Sequence, residues 1–329
     1  MMTILITGGT GLIGACLAEK LLARGDRVVL FDPSIAERRV VPLRSHGDRL
    51  RVVRGDVQSL GELLNAIHEH DVSAIVHLAY LLGTECNRSP EPATRVNILG
   101  TVNALEAARL ARLERVLLAS SIAVYGPDER YAPTDLPLHE DVPLHVAPGL
   151  PIYGGGKLYL EHLAADYARE FGLTVGGLRP GIVYGSGRER GISAFTGELI
   201  DRAATGEPVT VGFGDARVSL VYVEDVAAQF LALLHADPCV FDRRRFFNTG
   251  GDTTTVRELA AIVQRLLPDT RIDVTSNGER DIAGLAARVS DRALETELGY
   301  KRRFAPLEVG VRAHINVARS RAGLPPLGG

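Results

Sequence analysis

Over the first half of the chain, short unbroken apolar runs alternate with segments whose apolar residues recur every three or four positions. The runs fall at Ile4 to Ile6, Val28 to Phe31, Leu50 to Val53, Ala74 to His77, Val116 to Ala119 and Thr174 to Leu178, and they read as strands buried on both faces. Helical spacing fills most of the gaps; Leu12, Ile13, Cys16, Leu17, Leu21 and Leu22 form the first such stripe. This alternation predicts an α/β fold, a doubly wound parallel sheet of the Rossmann kind with ligands at its carboxyl edge. Past Arg179 the rhythm changes. Glycine-rich segments around Gly185 to Gly191 and Gly212 to Gly214 interrupt shorter elements, and helical patterns return near Asp225 to His235, Val256 to Leu267 and Leu307 to Ala322. A smaller C-terminal substrate lobe is expected there. The predicted division is a dinucleotide-binding domain at 1–180 plus about 219–250, and a substrate lobe at 181–218 and 251–329. Val221 to Val226 is assigned back to the first domain because a short strand leading into an apolar helix is a sheet-type pattern.

Composition narrows the partners. The chain has 329 residues, 46% of them hydrophobic, enough for one large or two modest domains with a real core. A net charge of -3 with both signs interspersed leaves no basic footprint for nucleic acid and no polybasic segment for a membrane surface. A small-molecule substrate is the expected partner. No apolar stretch approaches the roughly 20 residues of a membrane helix, and the sequence opens on a strand pattern instead of a signal peptide, which points to the cytoplasm. Cys16, Cys86 and Cys239 stand in no metal or redox spacing; they read as reduced thiols, and no metal is expected.

Two motifs carry the chemistry. Gly8-Gly9-Thr10-Gly11-Leu12-Ile13-Gly14 follows the first apolar run and opens the first helical stripe. In a dinucleotide site Gly8 permits the tight turn, Gly11 lets the pyrophosphate approach the backbone, and Gly14 lets the helix pack closely on its strand, with the helix N-terminus facing the phosphates. The second run ends at Asp32, a little under twenty residues beyond Gly14. A carboxylate there accepts hydrogen bonds from both ribose hydroxyls and repels a 2′-phosphate, which predicts NAD over NADP. Arg38 and Arg39 are the residues that could reverse this preference. Tyr153 and Lys157 stand four apart, so on a helix the phenol and the ammonium share one face. The ammonium is expected to lower the tyrosine pKa from roughly 10 towards working pH, as a general acid/base for hydroxyl–carbonyl conversion requires. Ser121, just past an apolar run, can hold and polarise the reacting oxygen, with Ser120 as its competitor.

These motifs are joined, in order, by Gly55-Asp56-Val57, Val76-His77-Leu78-Ala79, Val96-Asn97, Leu118-Ala119-Ser120-Ser121, Val124-Tyr125-Gly126, Leu178-Arg179-Pro180 and Val221 to Val226. Together they resemble the extended short-chain dehydrogenase/reductases, the NAD-dependent epimerase/dehydratase group, over nearly the whole chain. The resemblance implies that Leu12, Ile13, Leu78, Ala79 and Pro180 line the cofactor path, that Asp56 and Val57 flank the adenine, and that Asn97 supports the cofactor site. It implies that Lys157 also bonds the nicotinamide ribose. It selects Ser121 over Ser120, because the family's acting serine precedes a three-residue lead into Tyr-Gly, here Ile122-Ala123-Val124-Tyr125. A homodimer is implied as well, pairing the helix of Tyr153 with the preceding long helix, about Pro92 to Arg112. The stretch Tyr80 to Glu85 is similar to the substrate loop of members that oxidise small hydroxy compounds, which puts Tyr80 beside the substrate. His77 reads as a satisfied core residue.

Departures from the family pattern bear on the substrate. Where nucleotide-sugar members carry an Asn and an Arg-Asp-aromatic triplet, this chain has Ile182 and Val218-Ser219-Leu220. The lost side chains ordinarily serve the nucleotide diphosphate, at roughly 1.5–3 kcal/mol per charge-assisted hydrogen bond. Ile182 and Arg217, the latter one position early, are the expected substrate contacts, and Arg188 or Arg190 could also compensate. Gly154-Gly155-Gly156 either weakens its helix by about 1 kcal/mol per residue or admits a close neighbour. The expected activity is NAD-dependent hydride transfer between nicotinamide and a secondary alcohol or ketone of a small substrate. The alternatives are a nucleotide-sugar epimerase or dehydratase that keeps NAD bound, and a regulator that only senses NAD redox state.

Overall fold

The computed structural model describes residues 1–276 and 284–328. All six expected runs form strands: β1 (Thr3–Thr7), β2 (Arg27–Asp32), β3 (Leu50–Arg54), β4 (Ala74–His77), β5 (Arg115–Ala119) and β6 (Val175–Arg179). Six more follow: β7 (Ile182–Tyr184), β8 (Val209–Val211), β9 (Arg217–Tyr222), β10 (Phe246–Asn248), β11 (Asp252–Thr255) and β12 (Ile272–Val274). The first six join β10 in a seven-stranded sheet of order β10-β6-β5-β4-β1-β2-β3, with every neighbouring pair parallel. The order reverses between β1 and β4, and this opens a crevice at the carboxyl ends of the strands.

Both faces of the sheet are covered. On one face Ile4 and Ile6 pack with Leu17 and Leu21 of α1 (Leu12–Ala23). On the other, Leu5 packs with Leu63 of α2 (Leu60–Glu69), Leu105 of α3 (Gly100–Leu110) and Leu160 of α4 (Pro151–Phe171). Alternate residues of β1 thus serve opposite layers, which is why its sequence is a continuous apolar run. Helix α4 opens with Pro151 in its first turn and stops at Gly172, whose φ of 66° places it in the left-handed region that ends helices.

The segment Val221 to Val226 does not return to the parallel sheet as a unit. Strand β9 lies in a separate three-stranded sheet, parallel to β7 and antiparallel to β11. The helix that follows it, Val223–His235, packs against α1, and β10 beyond it takes the edge position next to β6. The buried Arg115 of β5 ties that helix down by donating to the carbonyls of Leu233, Leu234 and Ala236 at its C-terminal end. A strand pattern specifies burial and does not say which sheet supplies the partner. Among the described residues no helix is long and apolar enough to cross a membrane.

Candidate active site

The glycine motif forms the turn between β1 and α1. Gly8 has a φ of 63°, and a Cβ on it would stand 2.9 Å from the Ala79 nitrogen, so the loop after β1 and the loop after β4 touch at the crevice. The close packing expected of Gly14 is differently distributed. A Cβ on Gly14 would meet the carbonyl oxygens of Gly9 and Gly8 at 2.7 and 2.8 Å, closing the turn onto the helix. The approach to the strands is made by Gly9, whose Cβ would sit 2.6 Å from Ile6 O and 2.9 Å from Leu30 Cα. Asp32, at the end of β2, accepts from Thr10 N at 3.2 Å and Thr10 Oγ1 at 2.9 Å, and from Ser34 N at 3.2 Å. The two arginines that could receive a 2′-phosphate already have partners. Arg38 pairs with Glu189, and Arg39 donates to Thr10 O and Gly187 O.

Ser121, Tyr153 and Lys157 line one cavity of about 120 Å3 at the carboxyl end of β5. Its walls include Leu78, Tyr80, Ile182 and Pro180, which the sequence singled out, together with Leu82, Leu150 and Ile192. No Asp or Glu is among its described lining residues. The two serines divide cleanly. Ser120 Oγ donates to Glu161 at 2.5 Å in a buried network with Arg179, whereas Ser121 Oγ accepts from Ala123 N at 3.1 Å and lies beside the Tyr153 hydroxyl.

The expected effect of Lys157 on Tyr153 is not what the structure shows. Lys157 Nζ donates to Ala119 O at 2.6 Å and sits 3.2 Å from the centroid of the Tyr80 ring, against 5.5 Å from that of Tyr153. Burial pushes the lysine down to about 7, and burial pushes the Tyr153 phenol above its ordinary value. The groups that pull Tyr153 back are Ser121 and the guanidinium of Arg188. A buried phenolate is penalised more than these neighbours compensate.

Tyr80 stands edge-on to Tyr153, with centroids 5.6 Å apart, and its buried hydroxyl has no hydrogen-bond partner among the described residues. That hydroxyl occupies the space a side chain on Gly156 would need, 2.5 Å from the Cβ position. Gly154 likewise admits the Ala123 carbonyl, at 2.9 Å, while nothing approaches Gly155. The triple glycine therefore answers to two close contacts.

The remaining expected residues are dispersed. Asn97 pins the loop after β4, accepting from Leu81 N at 2.7 Å and donating to Leu81 O at 3.2 Å. Asp56 receives Gln58 N and Nε2, and the Val57 side chain is core, packed under Gly100 of α3. Arg217 is exposed at the start of β9, opposite Thr255, and does not line the cavity. A register in which β9 runs with its Leu220 to Tyr222 end beside β7 leaves Arg217 at the far end of the strand. The arginine that does reach the cavity is Arg188. The sequence offered Arg188 with Arg190 as a compensating cation, and Gly187 and Gly191, with φ values of 78° and 77°, turn its loop inward.

Residues 4–242 match the NAD dependent epimerase/dehydratase family. The chain belongs to that family. It is 31% identical, over 78% of its own length and 80% of the relative's, to UDP-glucose 4-epimerase of Mycolicibacterium smegmatis. Its fold superimposes on UDP-glucose 4-epimerase of Thermus thermophilus in complex with NAD, with a TM-score of 0.80 at 25% identity, covering 97% of this chain and 99% of that one. L-threonine dehydrogenase of Clostridium difficile has the same fold, with a TM-score of 0.84 at 21% identity, covering 100% and 99%. This family member is an NAD-dependent enzyme, and the residues present fit the cofactor: glycines at Gly8, Gly9 and Gly14 where a Cβ would collide, the first turn of α1 behind them, and a carboxylate at the end of β2.

Proposed function

We propose that the enzyme oxidises a secondary alcohol of a small substrate to a ketone, or runs the reverse reaction, with net turnover of NAD. The observation that carries this reading is the cavity itself. It sets the hydroxyls of Tyr153 and Ser121 side by side, encloses about 120 Å3, and is largely apolar otherwise. When bound, NAD supplies the hydride acceptor or donor. In reduction the neutral phenol of Tyr153, the form that burial favours, gives its proton to the carbonyl oxygen as the hydride arrives; in oxidation the phenolate form takes the substrate hydroxyl proton as the carbinol C–H bond gives up its hydride. Ser121 orients and polarises the same oxygen, and Lys157 holds the ribose side of the site. Dehydration of a sugar would need further acid and base groups, and the described lining residues include no carboxylate.

The 1–180 region with about 219–250 serves the cofactor, and the lobe of 181–218 and 251–329 closes over the substrate. Leu99 and Leu110 around α3, with Ile152, Tyr159 and Phe171 on α4, are exposed large apolar side chains on the two helices expected to meet in a homodimer. Three free cysteines suit a reducing cytoplasm.

A second reading, nucleotide-sugar epimerisation, is favoured by the activity named for the Mycolicibacterium smegmatis relative. Incubation with NAD and a panel of secondary alcohols distinguishes the two. Stoichiometric NADH and ketone support net oxidation; interconversion of UDP-glucose and UDP-galactose without NADH overturns it.

A further inference from the structure

Arg188 is one of two cations that line the catalytic cavity among the described residues. Its Nε donates to Ser193 Oγ at 2.7 Å, and no carboxylate pairs with it among the described residues. The surrounding arginines differ: Arg38 is paired with Glu189, Arg39 donates to two carbonyls, and Arg321 donates to Ser186. Lys157, the other cation lining the cavity, is directed to Ala119 O and the Tyr80 ring. Burial disfavours the Arg188 charge, and the interaction that favours it is with Tyr153, which places guanidinium and phenol in one electrostatic environment.

The position is built. Gly187 and Gly191 turn the loop back on itself, and a Cβ at Gly191 would stand 3.4 Å from Arg188 Nη2. Helix Ala194–Ala204 closes beneath through Gly197, where a Cβ would be 2.3 Å from Arg188 O. A half-buried guanidinium held through Nε alone presents its terminal amino groups as a fork, and a fork matches the two oxygens of a carboxylate.

We propose that Arg188 anchors a carboxylate on the substrate, so that the enzyme acts on small hydroxy acids and their keto forms. This rests on the reading of the site as a secondary-alcohol oxidoreductase and goes further, by naming the substrate class. Among the described lining residues no carboxylate competes with the substrate for Arg188, and the comparison with threonine below separates hydroxy acids from hydroxy amino acids.

The test measures NADH formation by the whole enzyme with lactate, glycerate, 3-hydroxybutyrate and gluconate, each against its methyl ester, and with threonine, neutral secondary alcohols and UDP-glucose. At least one acid should exceed its ester by about 100-fold in kcat/KM, in line with a lost charge-assisted pair. Arg188→Met should raise KM for that acid about 10- to 100-fold with a smaller change in kcat, and erase the preference for acid over ester; Arg188→Lys should fall between. Esters or neutral alcohols turned over as well as every acid, or an unchanged KM in Arg188→Met, overturn the anchor while leaving the oxidoreductase reading intact. No NADH from any alcohol, together with epimerisation of UDP-glucose, removes both.

Discussion

The ammonium of Lys157 sits 3.2 Å from the centre of the Tyr80 ring, and the hydroxyl of that ring is buried without a partner among the described residues. The ring, not its oxygen, therefore holds the lysine. Tyr80→Phe should keep turnover and cofactor affinity near wild type, since it removes an unsatisfied polar atom and retains the π face. Tyr80→Leu should weaken cofactor binding by about 0.5–2 kcal/mol, the range of a cation–π contact. Calorimetric titration of NAD into both variants decides; equal affinities would remove the role assigned to the ring.

Ser120 and Ser121 should separate by readout. Ser121→Ala should lower kcat by about 10²–10³, the loss typical of one donor to the reacting oxygen. Ser120→Ala removes a donor to Glu161 and should reduce unfolding stability by about 1–2 kcal/mol with kcat little changed. Urea unfolding and initial rates on the two proteins check both statements, and a kcat loss confined to Ser120→Ala would reverse the assignment.

The glycines before Lys157 should also diverge. Gly154→Ala puts a methyl group 2.8 Å from Val146 Cγ1 and 2.9 Å from Ala123 O and should destabilise by about 1–3 kcal/mol. Gly155→Ala meets nothing within 4 Å and should stabilise α4 by about 0.5–1 kcal/mol. Melting temperatures moving in opposite directions are the expected result.

Buried His77 predicts an acid-labile core. Its ring lies between Thr7 Oγ1, 2.8 Å from Nδ1, and Thr101 Oγ1, 3.2 Å from Nε2, and burial pushes it down to about 3 from an ordinary 6.5. Thr101 already donates to Asn97 O, so its oxygen receives the Nε2 proton and Nδ1 accepts from Thr7. Because the folded value is below the unfolded one, this contribution to stability is complete above 6.5 and is lost as pH falls towards 3. The loss across that window is on the order of a few kcal/mol. His77→Gln should show a shallower decline in urea midpoint between neutral and acid pH; parallel declines would count against it.

Asp32 should govern the choice of dinucleotide. Arg38 is paired with Glu189 and Arg39 spends donors on the carbonyls of Thr10 and Gly187, so a 2′-phosphate would face the carboxylate with fewer donors free to receive it. Wild type should favour NAD over NADP by about 100-fold or more in Kd, and Asp32→Asn should shrink that ratio. Some loss of NAD affinity should accompany it, because Asp32 also holds Thr10 of the glycine turn. An unchanged ratio would refute the assignment.

What the sequence by itself determined lies close along the chain. Apolar runs placed the first six strands to within a residue or two, the glycine motif marked the β1–α1 turn, and the four-residue interval put Tyr153 and Lys157 on one helix face. These features follow from backbone sterics and side-chain periodicity, which act over a few residues. Only tertiary structure decided where Lys157 points, that Tyr153 is raised and not lowered, that β9 leaves the parallel sheet, and that Arg188 reaches the cavity while Arg217 does not. Each of those outcomes depends on burial and on partners brought from distant segments, such as Tyr80 beneath Lys157 or Arg115 under the carbonyls at Leu233 to Ala236. Burial sets the energy of a charge, and local pattern carries no information about which distant group will be there to meet it.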